Sequence, residues 1–292
     1  MKHILCAIVL IVTASYGSAA HADSGYFDGT TLMLGYYGRP NAQSLGVLGQ
    51  HSVEELVPLV KAKADEYGKV TGKTVIPAFH LIYGLATSDP GNDQDYISAL
   101  SDDKMMLYIN SARQHDFAVI IDLQLGEMTP SEAIQPVLKY LKYDNVHLAI
   151  DPEFEVNGLD VPPGKVIGHI SGDEINAVQS AMHDYLEKNN ISQSKVLLVH
   201  MFRESMVSGK DSVKKYDNID LIMNLDGHGS PDLKVKIYNE LYDEQAASAV
   251  SGGMKLFFNE DKPALLTPEQ VMGMADIGNT RIKYPPVYIN FQ

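Results

Sequence analysis

Phe117-Ala118-Val119-Ile120-Ile121-Asp122-Leu123-Gln124 opens on five apolar residues and then alternates polar with apolar. An unbroken apolar run of that kind marks a strand buried on both faces, as in a parallel sheet covered by helices. Asp122 and Gln124 mark where it leaves the core. Working outward, similar runs predict strands at 32–37, 75–79, 146–150, 195–199, 219–223, 254–258 and 287–289. Nearly all end on polar or ionisable residues: His80, Asp151 with Glu153 and Glu155, His200, Asn224 with Asp226 and His228, Asn259 with Glu260, and Asn290.

Between the runs lie helix signals. Ser52 with Glu55 forms a capping-box pattern opening a helix to about Tyr67, and a second helix is predicted from about Gln94 to Gln114. Thr129-Pro130 places proline at a favoured first helical position. Further helices are predicted over 173–188 and from near Glu204, Pro231 and Pro268. Strands alternating with helices imply a parallel α/β sheet, and eight of them imply a single (β/α)8 TIM-like barrel. The eighth outer helix is missing after the last strand, so the barrel is expected to be open there or covered by the N-terminal segment. No linker or repeat divides residues 23–292, which are read as one domain.

The first 22 residues have the layout of a secretory signal: Lys2, an apolar run over 4–12, then small residues ending Ala20-His21-Ala22. The expected product is a secreted or periplasmic protein with no membrane anchor after cleavage. Its only cysteine, Cys6, would leave with the signal, so no disulfide or thiolate ligand is expected. A formal net charge of −14 disfavours nucleic acid as a partner. Oligomeric state is not legible.

In a barrel of this class the carboxyl ends of the strands converge on the active site. Side chains alternate along a strand, so Asp122 and Gln124 share a face, as do Asp151, Glu153 and Glu155, and as do Asn224, Asp226 and His228. Pointing these sets at the helix layer would bury charge without partners, so the mouth is their expected position. Three carboxylates at spacing two cannot all ionise cheaply in one cleft, and at least one is expected to act as an acid.

The strand-four motif Asp151-Pro152-Glu153-Phe154-Glu155 and the strand-seven motif Phe257-Phe258-Asn259-Glu260 together resemble clan A glycoside hydrolases. That resemblance implies Glu153 as proton donor and Glu260 as nucleophile, although Pro152 stands where the clan usually has Asn. The same stretch also resembles the D-x-x-D-x-D-x-E pattern of family 18 glycoside hydrolases. There Glu155 would be the acid, helped by Glu153 and Asp151, with Leu148 in place of the first Asp. The whole chain resembles a secreted bacterial barrel family. The reading is a hydrolase that cleaves glycosidic bonds in a small-molecule or polysaccharide substrate by carboxylate chemistry, without a cofactor. Tyr36, His80, Asp122, His200, Asn224 and Asp226 are expected to bind substrate or tune protons. Tyr37, Tyr83 and Tyr288 offer further sugar platforms, and Arg39 could hold a charged substituent.

Two alternatives stand beside it. His80, Asp122, His200, Asp226 and His228 offer nitrogen and oxygen ligands for a divalent metal, as in a metal-dependent hydrolase or isomerase. No His-Glu-x-x-His helix supports that reading, and a lone His at a strand end is more often structural. The third is a non-catalytic barrel that binds a glycan or other ligand. The Pro- and Gly-rich segment 157–172 is read as a loop over the mouth, a lid or a long connection.

Overall fold

In a computed structural model that describes residues 25–292, the barrel strands are β1 (Thr31–Gly38), β2 (Thr74–Ala86), β3 (Ala118–Gly126), β4 (Val146–Glu155), β5 (Lys195–Met201), β6 (Ile219–Leu225), β7 (Ser251–Leu256) and β8 (Tyr288–Phe291). Each pairs in parallel with its neighbours. β1 pairs with β2 from Thr31 opposite Thr74 and with β8 from Met33 opposite Tyr288, so the sheet closes into an eight-stranded barrel. The predicted signal segment 1–22, with Cys6, lies outside the described residues.

The closure settles the expectation about the last strand. β8 bonds β1 directly, and the N-terminal segment plugs the bottom of the barrel instead. Tyr26 and Phe27 pack under an inner apolar layer that includes Met33, Ala78, Ile120, Ala149, Leu198 and Ile222. The Tyr26 amide donates to the Asp220 carboxylate, and its ring meets His147 edge-on at 4.6 Å. No helix follows β8 among the described residues. Its outward Phe291 stacks on Phe258 at 5.4 Å and packs near Tyr67 of the helix at 53–71, so this neighbour covers the gap.

That first helix, α1 (Val53–Thr71), has the predicted capping box: the Ser52 side chain accepts from the Glu55 amide and Glu55 accepts from the Ser52 amide. It buries Leu56, Val60, Ala64 and Tyr67, a stripe at helical spacing. The next, α2 (Asp102–Gln114), starts later than predicted. Gln94 and Tyr96 take positive φ, and Ile97–Ala99 pairs antiparallel with Gly84–Ala86, so a strand extension replaces the first two helical turns. α3 (Pro130–Ile134) is capped by Thr129 as expected but stays short. α4 (Gly172–Lys188) is as predicted.

No α-helix forms between β5 and β6. The region of Glu204 makes only a 3-10 turn, because Val207–Ser208 pairs with Ile170–Ser171 and Gly209 turns the chain at φ 58°. α5 (Pro231–Leu241), α6 (Glu244–Ala249) and the short α7 (Pro268–Val271) complete the outer layer.

Two inward glycines make room for polar groups above the apolar layer. A Cβ on Gly35 would stand 2.7 Å from the Tyr288 hydroxyl, and one on Gly253 would stand 2.7 Å from Asn224 Oδ1. Gly35→Ala is expected to lower stability by about 1–3 kcal/mol, the usual cost of overpacking. Denaturant unfolding measures it, and unchanged stability would show that Tyr288 can step aside.

Candidate active site at the barrel mouth

Strand parity carries the polar ends inward. The inner layer contains Ala78, Ile120, Ala149, Leu198, Ile222 and Tyr288, so residues two further along their strands also face the axis. These are His80, Asp122, Asp151, His200, Asn224 and Asn290, all buried. Asp226 and Lys255 join them from β6 and β7. Above them opens a cleft of about 450 Å³ whose lining includes Tyr37, Asp151, Glu153, Phe154, Phe202, Asp226, Lys255 and Phe257. A hollow of about 680 Å³ at the opposite end, near Tyr26 and Arg113, gathers no such set of converging carboxylates.

Beneath the cleft the polar groups form a ladder. The Tyr288 hydroxyl bonds His80 Nδ1 at 2.7 Å, and His80 Nε2 stands 3.5 Å from Asp122 Oδ2. His200 Nε2 approaches the same oxygen at 3.6 Å, while its Nδ1 meets Asp226 Oδ2 at 3.0 Å. Asn224 Nδ2 donates to Asn290 Oδ1 at 3.3 Å. Lys255 Nζ lies 3.9 Å from Asp226 Oδ2 and 3.6 Å from the centre of the Tyr37 ring, a cation–π seat.

Environment splits the titrations of these groups. Burial pushes Asp151 up to about 7, and the charges of Asp122, Asp226 and Glu153 add to it against the pull of His200. Glu153 is also raised, by burial first and then by Asp226. Burial opposes ionisation of Asp226, yet the hydrogen bond and charge of His200, with Lys255, hold it below the ordinary range. Burial likewise opposes charge on His200, and Asp122 and Asp226 overturn that, leaving it raised. Burial alone dominates at His80, holding it down to about 4. Asp122 stays low because His200, His80 and Lys255 outweigh its burial.

Several predicted site residues stand elsewhere. Glu260 is exposed on the turn after β7 and lines no part of the cleft. β7 ends at Leu256, and it is Asp261 that the turn draws inside, where it accepts from the Phe257 and Gly229 amides. Glu155 leaves the face it was expected to share. The β3–β4 register runs from Gln124 opposite Asp151 to Gly126 opposite Glu155, an irregularity that breaks the alternation. Its carboxylate caps the Asn157 amide instead.

Tyr36 points outward against Phe258 and Phe291, and the neighbouring Tyr37 faces the mouth. Tyr83 belongs to the outer core and Tyr288 lies fully buried, so neither is a platform. Arg39 is taken up by the carbonyls of Ile82 and Tyr83 and by Ser98. His80 is buried in the ladder beneath the cleft, where it meets Tyr288 and Asp122. His228 is exposed at the cleft edge, away from the other two histidines. The loop after β4 folds back on its own strand, with the Gly168 amide donating to the Glu153 carbonyl, so it fastens the strand end.

Lys255 went unread in the sequence. A lone charge inside Met254-Lys255-Leu256, two residues beyond Gly253, was the available signal, since a buried lysine demands a partner.

No protein-family model matches the chain, and no curated protein matches it. Among solved structures it is similar to a hyperthermophilic endo-β-1,4-glucanase in complex with substrate, at 12% identity and a TM-score of 0.40, covering 78% of this chain and 77% of that one. It is also similar to a family GH13_31 enzyme, at 11% identity and a TM-score of 0.32, covering 81% of this chain. The chain spans 60% of that enzyme's length. The chemistry of the mouth therefore has to be read from its own residues.

Proposed function

We propose that the protein is a glycoside hydrolase whose acid and base are the cleft carboxylates Glu153 and Asp226. The observation that carries this reading is that two carboxylates from different strands line one cleft in unlike settings, Glu153 part-exposed and Asp226 buried against His200 and Lys255, which favours a protonated Glu153 beside an ionised Asp226. Glycosidic cleavage needs that pair, one carboxylic acid to protonate the leaving oxygen and one carboxylate to stabilise the cation or activate water.

Glu153 is the more exposed of the two and takes the acid's role. Its amide donates to Asp151 Oδ1 at 3.1 Å, so the buried Asp151 fixes the backbone that carries the acid. Tyr37, Phe154, Phe202 and Phe257 supply apolar walls for sugar faces. In this reading the enzyme works outside the cytoplasm, as the signal-like segment implies.

The test is a turnover screen on polysaccharides and aryl glycosides, with Glu153→Gln and Asp226→Asn alongside the unaltered protein. Loss of cleavage in both folded variants supports the assignment. Cleavage that survives both refutes it. Glu260→Gln is the control: with its side chain exposed outside the cleft, kcat/KM is expected to stay within about threefold of the unaltered enzyme, since a group absent from the transition state contributes no differential stabilisation. A large loss in that variant would return Glu260 to the mechanism.

A further inference from the structure

We infer that His80, Asp122 and His200 bind a divalent transition metal of the zinc class beneath the floor of the cleft. The three come from β2, β3 and β5, and one donor atom of each lies within 4.8 Å of the other two. The Asp122 Oδ2 to imidazole Nε2 separations are 3.5 and 3.6 Å. Those are long for an N–H···O hydrogen bond. They match the spacing of two ligands on a tetrahedral zinc, about 3.4 Å when each sits about 2.1 Å from the ion.

Three buried atoms face one another there, His80 Nε2, His200 Nε2 and Asp122 Oδ2, and among the described residues none makes a hydrogen bond of normal length and angle. Each unsatisfied buried group carries a desolvation cost, so three facing one another call for a common partner. The outer contacts are those of a metal centre. Asp226 holds Nδ1 of His200 and Tyr288 holds Nδ1 of His80, which turns each Nε2 inward. Gly35 leaves the space that lets the Tyr288 hydroxyl reach its place.

His147 is equally buried and also has one partnered ring nitrogen, which accepts from the Val196 amide, and an unpartnered Nε2; what sets it apart is that, among the described residues, it joins no cluster of ligands. Two imidazoles and one carboxylate favour a borderline ion such as zinc over calcium or magnesium, which prefer all-oxygen shells. Tyr37 closes the site from above, its ring centre 4.8 Å from that of His80 and 5.9 Å from that of His200. The inference goes beyond the glycosidase reading and needs no turnover to be tested.

The untagged, chelator-treated protein is titrated with zinc chloride by calorimetry, and a parallel sample is loaded with cobalt(II) for its visible spectrum. One equivalent of zinc and a low-coordinate cobalt spectrum are expected. His200→Gln is expected to lose both. Tyr288→Phe keeps its packing and is expected to bind zinc about 10- to 100-fold more weakly, as removal of an outer partner does. It keeps the proposal testable should His200→Gln fail to fold. Tyr37→Ala is expected to release zinc to chelator faster. Absence of binding by the folded unaltered protein overturns the site. So does one equivalent bound equally by the unaltered protein and Tyr288→Phe, which would place the ion on a surface histidine.

Discussion

Glu153→Gln is expected to cut turnover by about 10²- to 10⁴-fold, the usual contribution of a positioned general acid, while leaving the fold intact. The amide keeps the shape and removes the proton. Glu153 is only half buried, and its backbone amide, the one that meets Asp151, is untouched by the change. The alkaline limb of kcat/KM should therefore lie above the ordinary glutamate range, because burial and the charge of Asp226 favour the protonated acid. Activity falls as pH rises through that raised value. A limb at an ordinary glutamate value would mean that the cleft does not shield Glu153 as described.

Asp151 gives the same environment a stability readout, on chelator-treated protein. Its folded value, about 7, lies above the ordinary 3.8, so the folded state holds the proton more tightly than the unfolded chain. Stability from this group is fully present below about pH 4 and is lost as pH rises through about 7. Asp151→Asn cannot ionise, so relative to the unaltered protein it should gain stability between pH 4 and 8. Equal pH slopes for the two proteins would show that Asp151 titrates normally.

The barrel was legible because each of its eight strands carries its own period and nearly all end on a polar residue. The runs at 117–121 and 195–199 needed no partner to declare themselves, and parity alone placed Asp122, Asp151, His200 and Asn224 on the axis. What failed was parity beyond a strand's regular part. Glu155 lies past the β3–β4 irregularity and Glu260 lies past the end of β7, so counting residues could not follow either one. The same holds for Asp261, whose inward turn is set by two backbone amides and a lysine from another element. Tyr36 and Tyr37 differ by one position, and the inner packing of Met33 decides between them. His80, Asp122 and His200 were each visible as strand ends, but their mutual distance is a property of barrel closure and not of any local stretch.

Asp261→Ala is expected to be among the most destabilising single changes, at about 3–5 kcal/mol for a buried ion pair broken from one side. Asp261 and Lys234 are both buried and stand 3.2 Å apart. Lys234 Nζ also donates to the carbonyls of Gly227 at 2.6 Å and Lys255 at 2.8 Å, while Asp261 accepts from the Phe257 amide at 2.8 Å and the Gly229 amide at 2.9 Å. The pair thus ties the loop after β6 to the end of β7, on either side of the cleft wall that holds Asp226, Lys255 and Phe257. Alanine would leave a buried ammonium without its counter-charge and two buried amides without their acceptor. Chemical denaturation reads the loss as a lower midpoint at unchanged slope. The double variant Lys234→Met, Asp261→Leu should be more stable than Asp261→Ala alone, because removing both charges relieves the unpaired one. If Asp261→Ala unfolds at the midpoint of the unaltered protein, the pair is not what holds this wall. If the single and double variants lose equally, the hydrogen bonds to the loops matter more than the charge.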